Sequence, residues 1–272
     1  MRILPFQAAL VLAFMGTISS SSFGQLIIAH RGASHDAPEN SIAAFKLALE
    51  QGADGFEGDY WLGKDGHVMC LHDADTKRVG GKKLDVTKAS FDKLRALDVG
   101  SWKDKKWRAE KMPTFEECLE IVPAGKKFFV ELKSGPEVVA PIAKVLEKSS
   151  ISPDQIVFIS FKADAVAECK KLMPHIKALW LCGMKPKKDK QPPTADEVAE
   201  TLKRIKADGL NAEAAPEYFN EAYIDRLNEL GCKEFSVWTV DDPKIAKHYA
   251  ELGAAAITTN RPAWLREQMN RD

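Results

Sequence analysis

The sequence carries no excess of either charge: Lys and Arg together number 39, as do Asp and Glu. That balance excludes a global field for nucleic acid or for a charged membrane surface. The five cysteines, Cys70, Cys118, Cys169, Cys182 and Cys232, contain no CxxC pair. Their spacing gives no disulfide framework, and the odd number leaves at least one thiol free. Cys70 and Cys182 lie in apolar strand-like runs, and most of the five read as small buried hydrophobes. There is no Walker loop, no GxGxxG after a strand and no HExxH, which removes the common nucleotide and zinc-protease readings.

Membrane-spanning runs are also missing. The longest apolar stretch, Leu4–Met15, is interrupted by Pro5 and Gln7 and is too short to cross a bilayer comfortably. Arg2 before it and Ser22-Phe23-Gly24 after it give residues 1–24 the form of a secretory signal peptide cleaved before Gln25. No cysteine near residue 24 is placed to take a lipid. The expectation is an exported protein, periplasmic or secreted, with no stable membrane insertion.

What the chain does contain is alternation. Strand-like runs occur at Leu26–His30, Gly55–Leu62, Lys127–Lys133, Gln155–Ser160, Ala178–Cys182, Gly209–Ala212, Glu234–Thr239 and Ala255–Thr258. Amphipathic segments separate most of them: Ser41–Gln51, Thr114–Ile121, Pro136–Lys148, Ala163–Leu172, Ala195–Lys206, Asn220–Leu230 and Pro243–Leu252. A last one, Pro262–Met269, closes the chain. Eight β/α repeats predict parallel strands closed into a (β/α)8 barrel, with an open doubly wound sheet as the alternative. Asn40 and Asp242-Pro243 read as helix starts, and Gly52, Gly231 and Gly253 as left-handed helix ends.

The alternation breaks twice. Gly63-Lys64-Asp65-Gly66 reads as a tight turn that returns His67–Leu71 beside the second strand. About 75–112 is then too long for a bare loop and reads as an insertion over the barrel mouth, with a short helix at Ser90–Leu97. Gly183–Pro193 follows the fifth strand, and its Lys185, Lys187, Lys188 and Lys190 either draw in anions or form a solvated loop.

Chemistry-bearing residues gather at strand ends, where such folds place their sites. His30 and His72 can divide acid and base roles. Glu57 and Asp59 are two apart on a strand and share one face; so close, they call for a cation, and all-oxygen donors suit Mg²⁺ or Ca²⁺. Glu131 and Lys133 repeat the device, offering a third metal ligand and a cation for an anionic oxygen, or else a structural salt bridge. Arg31 offers a fork that matches phosphate. Trp238 is either barrel packing or a stacking wall for substrate. This set fits cleavage of a phosphoric ester better than redox or acyl chemistry.

In order along the chain, HRG at His30–Gly32, PEN at Pro38–Asn40, ExD at Glu57–Asp59, HD at His72–Asp73 and ExK at Glu131–Lys133 resemble the glycerophosphodiester phosphodiesterases. The likeness continues through Asp75-Thr76, Met112–Glu117, Val237–Val240 and Thr259–Pro262. The resemblance implies a TIM barrel, with 25–272 as one domain, and hydrolysis of a small glycerophosphodiester to glycerol 3-phosphate and an alcohol. It implies His30 and His72 as the acid/base pair, Glu57, Asp59 and Glu131 as ligands of a divalent cation, and Arg31 and Lys133 on the phosphate. Two positions depart from the family pattern: Ser41 stands where a Thr is usual, and Tyr60 where a β-branched residue is. Tyr60 and Trp61 are the expected places for an altered pocket shape. Rival readings on the same fold are a lysophospholipase D-like or sphingolipid phosphodiesterase, and a non-catalytic binding barrel. Oligomeric state is not encoded in any pattern here.

Overall fold

Closure of the barrel is decided at one seam. The computed structural model describes residues 24–188 and 191–271. In it, β1 (Leu26–Ala29) pairs in parallel both with β9 (Ala256–Thr259) and with β2 (Gly55–Leu62), so the sheet returns on itself. Between them run β4 (Lys127–Leu132), β5 (Ile156–Ser160), β6 (Lys177–Cys182), β7 (Gly209–Glu213) and β8 (Phe235–Trp238), all parallel. These are the eight expected strands, in an eight-stranded (β/α)8 barrel rather than an open sheet. Gly55 at the seam has no room for a side chain, because a Cβ there would lie 2.2 Å from the Lys127 carbonyl oxygen.

Alternation along each strand separates two environments. Ile28, Phe129, Val157, Ile159, Leu179, Leu181 and Ala256 point inward and fill the barrel. Their neighbours point outward under the helices α1 (Ile42–Glu50), α4 (Phe115–Glu120), α5 (Val139–Leu146), α6 (Ala163–Leu172), α7 (Ala195–Ile205), α8 (Glu221–Glu229), α9 (Pro243–Glu251) and α10 (Pro262–Met269). On that outer layer Phe56 lies 4.5 Å from Phe45 and 4.9 Å from Phe128, ring centre to ring centre. Phe128 also packs on Phe115 and Tyr60, so one ring ties β4 to β2 and α4.

The helix ends follow local chemistry. Asp242 accepts from the Lys244 N–H ahead of Pro243, as expected. Gly52, Gly231 and Gly253 all take positive φ. The expected N-cap at Asn40 is corrected: Ser41 is extended and its Oγ accepts from the Ala44 N–H at 3.1 Å. Asn40 has φ +56°, which no N-cap adopts, and turns its amide away from the helix. The helix expected from Pro136 begins as a 3-10 turn, Pro136–Val138, before α5.

The short strand β3 (Val68–Cys70) runs antiparallel to the far end of β2, as the Gly63–Gly66 turn predicts. The insertion then forms α2 (Lys77–Gly80), α3 (Phe91–Arg95) and a core of its own from Met69, Leu71, Val79, Val86, Leu94, Val99 and Met112. Lys103 Nζ donates to the Ser34 carbonyl at 2.8 Å, which anchors the insertion on the loop after β1. Among the described residues no disulfide joins any of the five cysteines, and four of them are buried. No helix among the described residues is long and apolar enough to cross a membrane. The expected signal peptide lies almost wholly outside the described residues.

Phe128→Ala removes the ring shared by β2, β4 and α4. It is expected to cost about 3–5 kcal/mol of unfolding free energy in urea denaturation; a loss below about 1 kcal/mol would contradict this packing account.

Candidate active site

Parallel strands all end on one face, so side chains just past their ends converge. His30, Arg31, Glu57, His72, Glu131, Lys133 and Trp238 line one cleft of about 100 Å³ at that face. Asp59 lies beneath it, 1% exposed. Every residue singled out as a site candidate is therefore within one region. A larger, mainly apolar groove between α5 and α6 holds no such cluster. Lys185, from the lysine-rich loop, pairs with Glu213 instead, and Lys190 lies outside the described residues.

The turn after β1 is built to aim two residues. Gly32 has φ +79° and abuts Ala44, where a Cβ would come within 2.7 Å of that residue's backbone, so the chain presses onto α1. Arg31 is itself left-handed, with φ +56°. Its backbone N–H donates to Glu57 Oε2 at 2.9 Å, and its Nη1 donates to Glu39 Oε1 at 2.9 Å. Its Nε lies 3.3 Å from Asp59 Oδ2. The fork expected for phosphate is thus partly committed to carboxylates.

Glu57, Asp59 and Glu131 offer oxygens that all lie within 4.8 Å of one another; they are the only such cluster among the described residues. The register pairs Asp59 with Glu131 across adjacent strands, and strand alternation supplies Glu57. Lys133 Nζ sits 2.8 Å from Glu131 Oε1 and 3.3 Å from Asp59 Oδ1. Asn40 supports Asp59 from below: its Nδ2 donates to Asp59 Oδ2 at 2.8 Å, and its Oδ1 accepts from the Asp59 N–H at 3.2 Å.

The three carboxylates differ electrostatically. Burial raises Glu57 well above the usual range, and the charges of Asp59 and Glu131 add to it. Burial also raises Glu131, to about 7, with Asp59 beside it. Asp59 is buried too, but Lys133 and Arg31 hold it below the ordinary value. Glu57 Oε1 is buried with no hydrogen-bond partner. A naked carboxylate oxygen beside two more carboxylates is a strongly cation-attracting arrangement.

The two imidazoles have unlike partners. His30 Nδ1 lies 2.8 Å from Asn260 Oδ1. The Asn260 amide is oriented by Asp241, whose Oδ2 accepts from Asn260 Nδ2 at 2.6 Å, so the amide oxygen must face His30. His30 therefore carries its proton on Nδ1 and presents a bare Nε2. Burial, then the Arg31 charge, pushes its pKa down to about 4. His72 Nδ1 meets Asp73 Oδ1 at 2.8 Å instead. Hydrogen bonds from Arg78 hold Asp73 at about 2, and Arg78 also grips Glu39 at 2.7 and 2.9 Å.

Of the two readings of Trp238, barrel packing is what the structure shows, with the ring also at the edge of the cleft. Its Nε1 donates to the Asn211 carbonyl at 3.0 Å, and its ring lies 5.5 Å edge-to-face from Phe161. The expectation for Tyr60 and Trp61 is corrected. Tyr60 follows Asp59, so it faces outward and is fully buried against Phe115 and Phe128, while Trp61 packs on the insertion core. Neither shapes the cleft. The sequence assigns no site role to Glu39, Arg78, Phe161, Asn211, Asp241, Thr258 or Asn260, and reads Asn40 only as a helix start. Glu39 and Asn40 sat in the PEN motif and Asn260 near the C-terminus, but Arg78 had no signal at all.

The fold and this cleft define a (β/α)8-barrel hydrolase whose carboxylates, histidines and cationic groups meet at the strand ends. A model of the glycerophosphoryl diester phosphodiesterase family matches residues 30–264, and the chain belongs to that family. A glycerophosphodiester phosphodiesterase of Caldanaerobacter subterraneus subsp. tengcongensis is 33% identical over 253 residues, covering 88% of this chain and 96% of the relative. A putative glycerophosphodiester phosphodiesterase of Bacillus subtilis is 30% identical over 242 residues, with coverage of 88% and 96%. Among solved structures, an Oleispira antarctica phosphodiesterase in complex with the product sn-glycerol-3-phosphate superposes with a TM-score of 0.80 at 25% identity, covering 93% of this chain and 99% of that one. The protein is thus an enzyme of the phosphoric diester hydrolase class.

Followed by histidine ¹H–¹⁵N NMR, the His30 ring is expected to stay neutral with Nδ1 protonated until pH falls to about 4. Replacing the neutral acceptor with a carboxylate, Asn260→Asp, should raise that midpoint by about 1–3. A wild-type ring titrating near the ordinary value of about 6.5 would refute the environment described.

Proposed function

We propose that the enzyme hydrolyses glycerophosphodiesters to glycerol 3-phosphate and an alcohol in a metal-dependent reaction, with His30 as general base and His72 as general acid. The single observation that carries this reading is the convergence of the Glu57, Asp59 and Glu131 oxygens within 4.8 Å, beside both imidazoles in one cleft. The complex of the Oleispira relative with sn-glycerol-3-phosphate supports the substrate class.

The donor set fits a hard divalent cation, Mg²⁺ or Ca²⁺. All three donors are carboxylates, and the orphaned Glu57 Oε1 is the atom a cation would satisfy. When bound, the cation supplies neutralisation of the phosphate's negative charge.

The remaining work belongs to the chain. Lys133 and the uncommitted part of the Arg31 fork hold the phosphate oxygens, and their positive charges suit the charge that builds there during attack. His30 starts neutral with a bare Nε2, as a base must, and takes the proton of the attacking oxygen. Its partner is a neutral amide, which keeps the ring's orientation without adding charge. His72 has the carboxylate of Asp73, which suits an imidazole that begins the step as imidazolium. It gives a proton to the alcohol oxygen as the bond from phosphorus to that oxygen breaks.

We propose as well, from the signal-peptide form of residues 1–24, that the enzyme is exported from the cytoplasm. Residues 1–24 would direct export and be removed before Gln25, leaving four buried thiols and Cys232 in a compartment where their burial limits oxidation.

His30→Ala and His72→Ala are each expected to lower kcat on glycerophosphocholine by about 10²–10⁴-fold. Near-normal turnover in both would remove the assigned roles. Chelation should abolish activity, and Mg²⁺ or Ca²⁺ should restore it. Asn40→Ala should weaken metal binding in calorimetry by about 10–100-fold, since it frees Asp59 from its support. Unchanged activity in chelator would refute metal dependence.

A further inference from the structure

Two buried polar side chains of the cleft take no part in the chemistry above. Asn211 stands on β7 at an inward position, between Leu181 of β6 and Ser236 of β8. Thr258 stands on β9. Both line the cleft, and they are 1% and 2% exposed. Among the described residues nothing hydrogen-bonds Asn211 Nδ2, Asn211 Oδ1 or Thr258 Oγ1. Their neighbours on the cleft floor, Ile159 and Leu181, are apolar and offer no partner.

Buried polar groups are nearly always paired, and an unpaired one is destabilising. A leucine at 211 would extend the apolar layer of Ile159 and Leu181 without that cost. Asn211 is also held in place: its carbonyl accepts from Trp238 Nε1 at 3.0 Å, and Trp238 is braced by Phe161. The backbone at Asn211 is therefore held, and its unpaired side chain lines the cleft.

We propose that Asn211 and Thr258 form a subsite that hydrogen-bonds the two free hydroxyls of the substrate's glycerol group. This rests on the glycerophosphodiester reading above and adds the determinant of its selectivity. An amide has two donor hydrogens and one acceptor oxygen; a threonine hydroxyl gives and accepts. A vicinal diol, with a donor and acceptor on each carbon, complements that set. The wall formed by Ile159, Phe161, Leu181, Asn211, Trp238 and Thr258 carries no charge, so it suits a neutral polyol rather than a phosphate. The charged wall opposite, with Glu57, Glu131 and Lys133, takes the phosphorus. The substrate thus lies across the cleft with its diol toward β7 and β9.

The test compares wild type with Asn211→Leu, Thr258→Val and the double variant on two substrates in Mg²⁺. Glycerophosphoethanolamine carries the diol; bis(4-nitrophenyl) phosphate does not. The expected result is a fall of roughly 10- to 100-fold in the ratio of the two kcat/KM values for Asn211→Leu. Calorimetry with sn-glycerol 3-phosphate and inorganic phosphate gives the second readout: wild type should prefer the former, and Asn211→Leu should lose that preference. Equal losses on both substrates, or no change on either, overturn the subsite. So does a wild type that binds glycerol 3-phosphate no more tightly than phosphate. If wild type cleaves only bis(4-nitrophenyl) phosphate yet shows the calorimetric preference and loses it in Asn211→Leu, the subsite stands and the proposed reaction falls.

Discussion

The structure depends on keeping three carboxylates together at one barrel mouth. Glu57, Asp59 and Glu131 would repel one another in a low-dielectric site, so each is matched by something nearby. Lys133 lies between Asp59 and Glu131, and Arg31 reaches both Glu57, through its backbone, and Asp59, through its side chain. Glu39 in turn engages Arg31, and Arg78 engages Glu39. The left-handed turn at Arg31 and the tight packing of Gly32 on α1 are local consequences of this arrangement. They place a second cationic residue, with Lys133, against the carboxylates at the strand ends.

Around that core the barrel divides its labour by strand. The acidic and cationic groups come from β1, β2, β4 and the segment after β3. The uncharged wall comes from β5 to β9. Asn260 and Asp241, from the far side of the seam, reach back to set the His30 ring. The closure of β1 on both β2 and β9 is therefore functional as well as architectural, because it brings His30 within reach of the carboxylate strands on one side and of Asn260 on the other.

Much of this is legible in the sequence. The eight strands, the return of β3 and the insertion followed from periodicity and turn residues, because parallel strands buried on both faces leave continuous apolar runs. Glu57, Asp59, Glu131 and Lys133 stood out because charge in such runs is rare and strand alternation fixes which face it takes. The same rule, applied one residue further, turns Tyr60 outward, away from the cleft. An N-cap and a buried hydrogen-bonding asparagine look alike in sequence, and only the positive φ of Asn40 separates them. Arg78 and Asp241 were not legible at all. Arg78 binds Asp73 five residues before it, but also Glu39, 39 residues away, and Asp241 binds Asn260, 19 residues away; nothing local marks these long-range contacts.

The neutral wall has a consequence for how such an enzyme can diversify. In the proposed reaction, the residues that hold the phosphate and move protons are confined to positions 30–133, whereas Phe161, Asn211, Trp238 and Thr258 come from later repeats. On the proposed assignment, drift in the second half of the gene would recast which polyol is accepted while leaving the reagents untouched. Only Asn260 and Asp241 bind that freedom, since the half that is open to change also holds the imidazole at the start of the chain.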